Sequence, residues 1–224
     1  MIPSITIITP TTGKAGLDKL IQSIDNQIPG YHSVYHLLLW DDKREPESKP
    51  PESYNSENRF SIVAPNGTGR NGHAPGSALR AIGMMAAKAP WITFADDDVW
   101  WEEDHLKELV QVTSGESKWA STLRTVWSPT GARLGVDRFE SVGDDPGRRV
   151  PYEMCDGNTM VVRRELGVVA AQFYRETTAY NDDRLMYAFL KEHAGPRSNT
   201  NRPTINQICP EKLIGFFTEN CSKE

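Results

Sequence analysis

Hydrophobic positions along the first half of the chain switch between two spacings. "SITIITP" (4–10) and "VYHLLLW" (34–40) are continuous apolar runs, the pattern of strands covered on both faces. "RFSIV" (59–63) and "WITFA" (91–95) are shorter runs of the same kind. Between them, "GLDKLIQSIDNQ" (16–27) sets Leu17, Leu20, Ile21 and Ile24 at helical spacing. "SALRAIGMMAAK" (77–88) reads as a helix stopped by Pro90, and "DHLKELVQV" (104–112) as another. Strand and helix alternate up to residue 112, which predicts a mostly parallel sheet with helices on both faces. Right-handed crossovers then bring the strand C-termini to one edge, where open α/β sheets bind ligands.

The second half has a different rhythm. "KWASTLRTVW" and "ARLGVDRF" flank the turn signal "SPTG" and predict a hairpin. "NTMVVRRE" (158–165) is a short strand, "GDDPG" (143–147) a turn, and "NDDRLMYAFLKEH" (181–193) a helix. The polar stretch "AGPRSNTNRPTINQ" (194–207) reads as a long loop. The change near residue 113 divides one domain, residues 1–224, into two halves, 1–112 and 113–224, the second of which ends in that loop.

Composition narrows the possibilities. A chain of 224 residues with 38% hydrophobic content can bury a sizeable core. A net charge of −5 argues against a protein that binds nucleic acid by broad phosphate neutralisation. The three widely spaced cysteines fit a reducing compartment better than a disulfide framework. No apolar run is long enough to span a membrane. A cytoplasmic location follows as the expectation, with peripheral attachment to a membrane left open.

Candidate chemistry gathers at the strand ends. "WITFADDDVWW" drives a strand straight into Asp96, Asp97 and Asp98. Two unit charges about 4 Å apart repel by roughly 4 kcal/mol at an effective dielectric near 20, so something must offset the crowding. Capping of the next helix needs one carboxylate, not three. Hard oxygen ligands in this number suit Mg²⁺ or Mn²⁺, which keep waters and bind substrate phosphates. Asp41 and Asp42 close the second strand, and Pro10-Thr11-Thr12 the first. "PNGTGRNGHAPGSALR" (65–80) carries four glycines with Arg70 and Arg80. Trp100, Trp101 and Trp127 offer flat faces on which a ligand could stack, although core packing is the commoner fate of tryptophan.

Together, "TIITPTT", "LLLWDD" and "NGHAPGSALRAIGMMAAKAPWITFADDD" resemble the family 2 glycosyltransferases of the GT-A fold, over roughly residues 4 to 112. In that family Asp96-Asp97-Asp98 corresponds to the DXD motif, and "TAYNDDRLMYAFL" (178–190) resembles the later acidic motif that carries the catalytic base. The resemblance implies a metal-dependent, inverting transfer from a nucleotide-diphospho-sugar, with a UDP-sugar favoured, to a glycan or glycoconjugate acceptor. It implies that Asp183, beside Asp182, takes the acceptor proton. It assigns donor binding to Pro10, Thr11, Thr12, Asp41, Asp42, Arg80, Asp96 and Asp97, and the metal, Mn²⁺ or Mg²⁺, to Asp98 with Asp96 and His193. Asp156 and Asn158 in "EMCDGNTM" are assigned to the acceptor. A partly exposed Asp183 would ionise near the ordinary aspartate value of about 3.9 and need no large shift. Two other functions share these features: a sugar-1-phosphate nucleotidyltransferase, and a sugar-nucleotide-binding domain without chemistry.

Overall fold

The computed structural model describes residues 3–222 apart from 14, 29, 42–53, 66–75, 138–153 and 177–181. The predicted alternation is present in β1 (Ile5–Thr11), α1 (Leu17–Asp25), β2 (Val34–Asp41), β3 (Arg59–Ala64), α2 (Ser77–Ala86) and β4 (Trp91–Phe94), then an unexpected short strand β5 (Val99–Trp101) precedes the predicted helix α3 (His105–Thr113). β6 (Trp119–Trp127) and β7 (Arg133–Asp137) form the predicted hairpin. β8 (Met160–Arg163), α4 (Arg164–Glu176), α5 (Asp182–His193), β9 (Ser198–Ile208) and α6 (Ile214–Asn220) complete the described chain.

One mixed sheet runs β3-β2-β1-β4-β8-β6-β9-β5, with β7 added on β6. β3, β2, β1 and β4 are mutually parallel, as predicted. β8 then runs antiparallel to β4, β6 antiparallel to β8, and β9 parallel to β6. These reversals matter for function. They bring the start of β8 and the ends of β6 and β9 to the same edge as the C-termini of β1, β2 and β4.

The central strands β1, β4, β8 and β6 are buried on both faces, with side chains alternating between them. On one face Ile8, Ile92, Phe94, Met160 and Val162 pack under α2, α4 and α5 through Leu79, Met84, Ala170, Tyr174 and Met186. On the other, Ile5, Ile7, Trp91, Val161 and Ile205 meet Leu20, Ile24, Leu106 and Leu109 of α1 and α3. Trp101 belongs to this second core and is therefore a packing residue. Gly83 of α2 lets the helix sit on β1, because a Cβ there would lie 2.4 Å from Ile8 Cγ2.

Two sequence expectations need correction. Most of the polar stretch 194–207 is not a loop but lies in β9, the strand between β6 and β5. Its buried residues Thr204 and Asn206 are polar, so it lacks the apolar alternation that marks a strand. They are satisfied sideways instead: Thr204 Oγ1 lies 2.8 Å from both Thr122 Oγ1 and His105 Nδ1, and Asn206 accepts from Trp127 Nε1 at 2.8 Å. The second correction is α4, which follows β8 directly and was not predicted. It presents the buried Ala170, Ala171 and Tyr174. The expected turn at 143–147 lies outside the described residues.

Candidate active site

The edge is built from strand ends and helix starts. Thr11 ends β1 and donates its hydroxyl proton to Asp97 Oδ2 at 2.8 Å. Asp41 ends β2 at 1% exposure. Pro10 packs beneath the start of α2, where Gly76 adopts φ +85°; a side chain on Gly76 would meet Pro10 Cβ at 3.3 Å. Gly16 is equally constrained, since a Cβ there would come within 2.2 Å of the Asp97 carbonyl oxygen. Gly16 therefore lies close against the acidic triplet. Asp42 and residues 66–75 of the glycine-rich loop lie outside the described residues.

Arg80, one turn into α2, offsets the acidic crowding. Its Nη2 donates to both oxygens of Asp96, at 2.5 and 2.6 Å. Its Nη1 lies 3.7 Å from Asp182 Oδ2, and that oxygen accepts from Ser77 Oγ at 2.5 Å. Burial opposes the charge on Arg80, but the carboxylates of Asp96, Asp183 and Asp182 more than offset it and raise its pKa above the ordinary arginine value. One cation thus links the triplet to the acidic start of α5.

Asn158 secures Asp96 from the other side. Its Oδ1 accepts from the Asp96 N–H at 2.7 Å, and its Nδ2 donates to Asp96 Oδ2 at 3.2 Å. It sits in a short 3₁₀ turn (Gly157–Thr159) whose N-cap, Asp156, accepts from the Asn158 N–H at 2.9 Å. Asp156 is in turn an ion-pair partner of Arg124 Nη1. Arg124, only 2% exposed, also donates to Asp137 Oδ2 at 2.9 Å and Gln207 Oε1 at 2.5 Å. Burial alone would raise the Asp156 pKa, but Arg124 and the Asn158 donors hold it below the usual carboxylate range.

Asp183 differs from its neighbours. Tyr174 of α4 donates its hydroxyl proton to Asp183 Oδ1 at 3.0 Å. Burial first, then the charges of Asp182 and Asp156, push the Asp183 pKa up to about 8, against the lowering effect of Arg80 and the Gly157 N–H. Asp183 is partly exposed, as expected, but its surroundings shift it upward where no shift was expected. The same surroundings raise the Tyr174 hydroxyl well above its usual value, chiefly through burial.

The edge thus gathers Pro10, Thr11, Asp41, Arg80, Asp96, Asp97, Asp156, Asn158, Asp182 and Asp183. His193 is not among them. It ends α5, eleven residues from Asp182, which is about 16 Å along a helix axis. Its half-exposed ring packs on Phe189 and lies 3.7 Å from Glu192. Trp100 and Trp127 pair at 6.0 Å between ring centroids, beside Asp98, whose carbonyl accepts from the Ile208 N–H. Sequence reasoning missed Arg124, Ser77, Tyr174 and Gln207. Only a fold that juxtaposes β6, α2, α4 and β9 reveals them.

Residues 6–118, half of the chain, match the family model described as Glycosyl transferase family 2. No curated protein matches the chain. Among solved structures it is similar to S. aureus TarS 1–349, with TM-score 0.67 and 18% identity over 99% of this chain and 67% of that one. It is also similar to the TarS 1–349 complex with UDP-GlcNAc, with TM-score 0.67 and 16% identity over 99% and 68% of the two chains. Full TarS gives TM-score 0.67 and 16% identity, with 99% of this chain covering 40% of that one. The shared fold is GT-A, the family model lies over the first half of the chain, and the protein belongs to glycosyl transferase family 2.

Proposed function

We propose that the protein transfers a sugar, with inversion, from a nucleotide-diphospho-sugar to a hydroxyl of a glycan or glycoconjugate. The observation that carries this is Arg80, which joins a donor-side carboxylate, Asp96, to the acidic start of α5 where Asp183 sits. Donor and proton acceptor are thereby held on one edge. The solved complexes of TarS with UDP and with UDP-GlcNAc support a uridine donor on this fold.

Asp41, Asp42 and Thr11 receive the base, with Pro10 and Thr12 shaping the floor, and Asp97 meets the ribose. Asp183 accepts the proton of the attacking hydroxyl. Its buried surroundings make it a stronger base than an ordinary carboxylate, and the group must be ionised to act. The sugar acquires oxocarbenium character as the diphosphate leaves, and attack from the opposite face inverts the anomeric centre.

Among the described residues, no three His, Cys, Asp or Glu side chains form a metal cage. That still fits Mn²⁺ or Mg²⁺, which need only one or two carboxylates when substrate phosphates supply the rest. Asp98 is the residue that would hold the ion, because Asp96 is engaged by Arg80 and Asn158. When bound, the ion neutralises charge developing on the departing diphosphate. His193 has no part in this assignment.

A melting-temperature screen of nucleoside diphosphates, with and without Mn²⁺, tests donor and metal together. A ligand at 100 times its Kd adds about 2.7 kcal/mol of stability. UDP with Mn²⁺ should give the largest rise and UDP alone a smaller one. No rise with any nucleoside diphosphate, or pyrophosphate release from a nucleoside triphosphate and a sugar-1-phosphate, would contradict the proposal.

A further inference from the structure

Gly157 lies where a side chain would displace a neighbour. A Cβ built on it would lie 2.8 Å from Asp183 Oδ1, 3.5 Å from its Cγ and 3.6 Å from its Oδ2. All three nearest atoms belong to one carboxylate. The Gly157 backbone is outside the left-handed region, so glycine is not required there by backbone conformation. The requirement comes from the approach of Asp183 alone.

The neighbours of Gly157 reach in other directions. Asn158 grips Asp96 through both its backbone N–H and its carboxylate. Asp156 caps the turn and is fixed by Arg124, which is itself tied to β7 through Asp137 and to β9 through Gln207. Three consecutive residues therefore touch the base, the donor-side carboxylate and a buried anchor.

We propose that the turn Asp156-Gly157-Asn158, anchored by Arg124, is a positioning clamp that fixes Asp183 relative to Asp96, and that Gly157 is the point at which the clamp sets the place of the base. The clamp matters to catalysis only because Asp183 takes the acceptor proton, as proposed above. Gly157, Asp156 and Arg124 are positioning residues, since each acts through another group.

The groups facing Asp183 give the clamp a signature that a purely structural role would lack. They are Asp182 on its own helix, Tyr174 from α4, Arg80 from α2, and Asp156 with the Gly157 N–H from the turn. The Asp156 charge favours the protonated form of Asp183, whereas the Gly157 N–H favours the ionised form. Disturbing adjacent positions should thus move the titration of Asp183 in opposite directions.

The test compares Gly157→Ala, Asp156→Asn and Asp183→Asn by donor kinetics and by ¹³C NMR titration of labelled aspartates. In Gly157→Ala the carboxylate is the flexible partner and yields, so the variant should melt with the parent. Its kcat should fall about 10²-fold, as displacements near 1 Å commonly cause, while the donor KM stays within about twofold. Its Asp183 midpoint should move above that of the parent. Asp156→Asn keeps a capping oxygen but loses the charge, so its Asp183 midpoint should move below that of the parent. Parent-like kcat in Gly157→Ala, or midpoints moving the same way in both variants, overturns the clamp. If Asp183→Asn retains parent turnover, the base assignment falls and the clamp falls with it. Turnover lost in Asp183→Asn but kept in Gly157→Ala overturns the clamp alone.

Discussion

At the scale of single residues, the behaviour of the site rests on how differently its aspartates are treated. Asp96 is neutralised by Arg80, and Asp156 by Arg124, while Asp183 is crowded by other acids and by Tyr174. Since only ionised Asp183 accepts a proton, kcat/KM should rise with pH through about 8 and level off above it. Asp183→Asn should cost about 10² to 10⁴ in kcat and leave donor affinity nearly unchanged, as measured by steady-state kinetics and calorimetric titration. Stability should respond in the opposite sense. The folded pKa lies above the unfolded value of about 3.9, so the folded state binds more protons between the two. The protein should therefore lose stability as pH rises from near 4 towards about 8, and Asp183→Asn should flatten that slope in melting experiments. None of this was legible in "NDDRL", because the burial and the neighbouring charges come from α4, α2 and the 156–158 turn.

At the scale of elements, the second half is held by a buried cation rather than by an apolar seam alone. Arg124 projects from β6 to partners on β7, β9 and the turn before β8. Arg124→Met should destabilise the fold by about 3 to 5 kcal/mol in urea unfolding, because Asp137 and Asp156 would be left as buried, uncompensated charges. Arg202 gives the contrast. It bridges Asp104 and Glu108 at 2.7 Å, but its side chain is 54% exposed, so Arg202→Ala should cost less than about 1 kcal/mol. The elements with apolar periodicity, β1 to β4, α1 to α3 and α5, were legible in the sequence because burial against a sheet imposes that periodicity, whereas the three-residue β5 is too short to show one. β9 was not, since Thr204 and Asn206 are buried as polar groups and Pro203 falls where the β6–β9 register shifts. α4 was missed because it follows β8 with no intervening turn signal.

At the scale of the whole molecule, the fold gathers at one edge of the sheet what the sequence scatters. The parallel half supplies Thr11, Asp41 and the acidic triplet, all readable as residues that close strands. The reversal at β8 brings the second half to the same edge, and with it the turn, Arg124 and the start of α5. That reversal could not be read from strand signals, so the site was legible as a set of residues but not as a connected network. Among the described residues, no helix is long and apolar enough to cross a membrane. The chain spans 40% of the length of full TarS.

The central claim is sugar transfer with Asp183 as the proton acceptor. It is tested most directly by following, by ¹H NMR, the UDP released from UDP-sugars in the presence of Mn²⁺ and a panel of glycan acceptors, for the parent and for Asp183→Asn. The account predicts UDP and a product of inverted anomeric configuration from the parent, and neither from Asp183→Asn although that variant still binds UDP. Equal release by both proteins, or a product that retains the donor configuration, would contradict it.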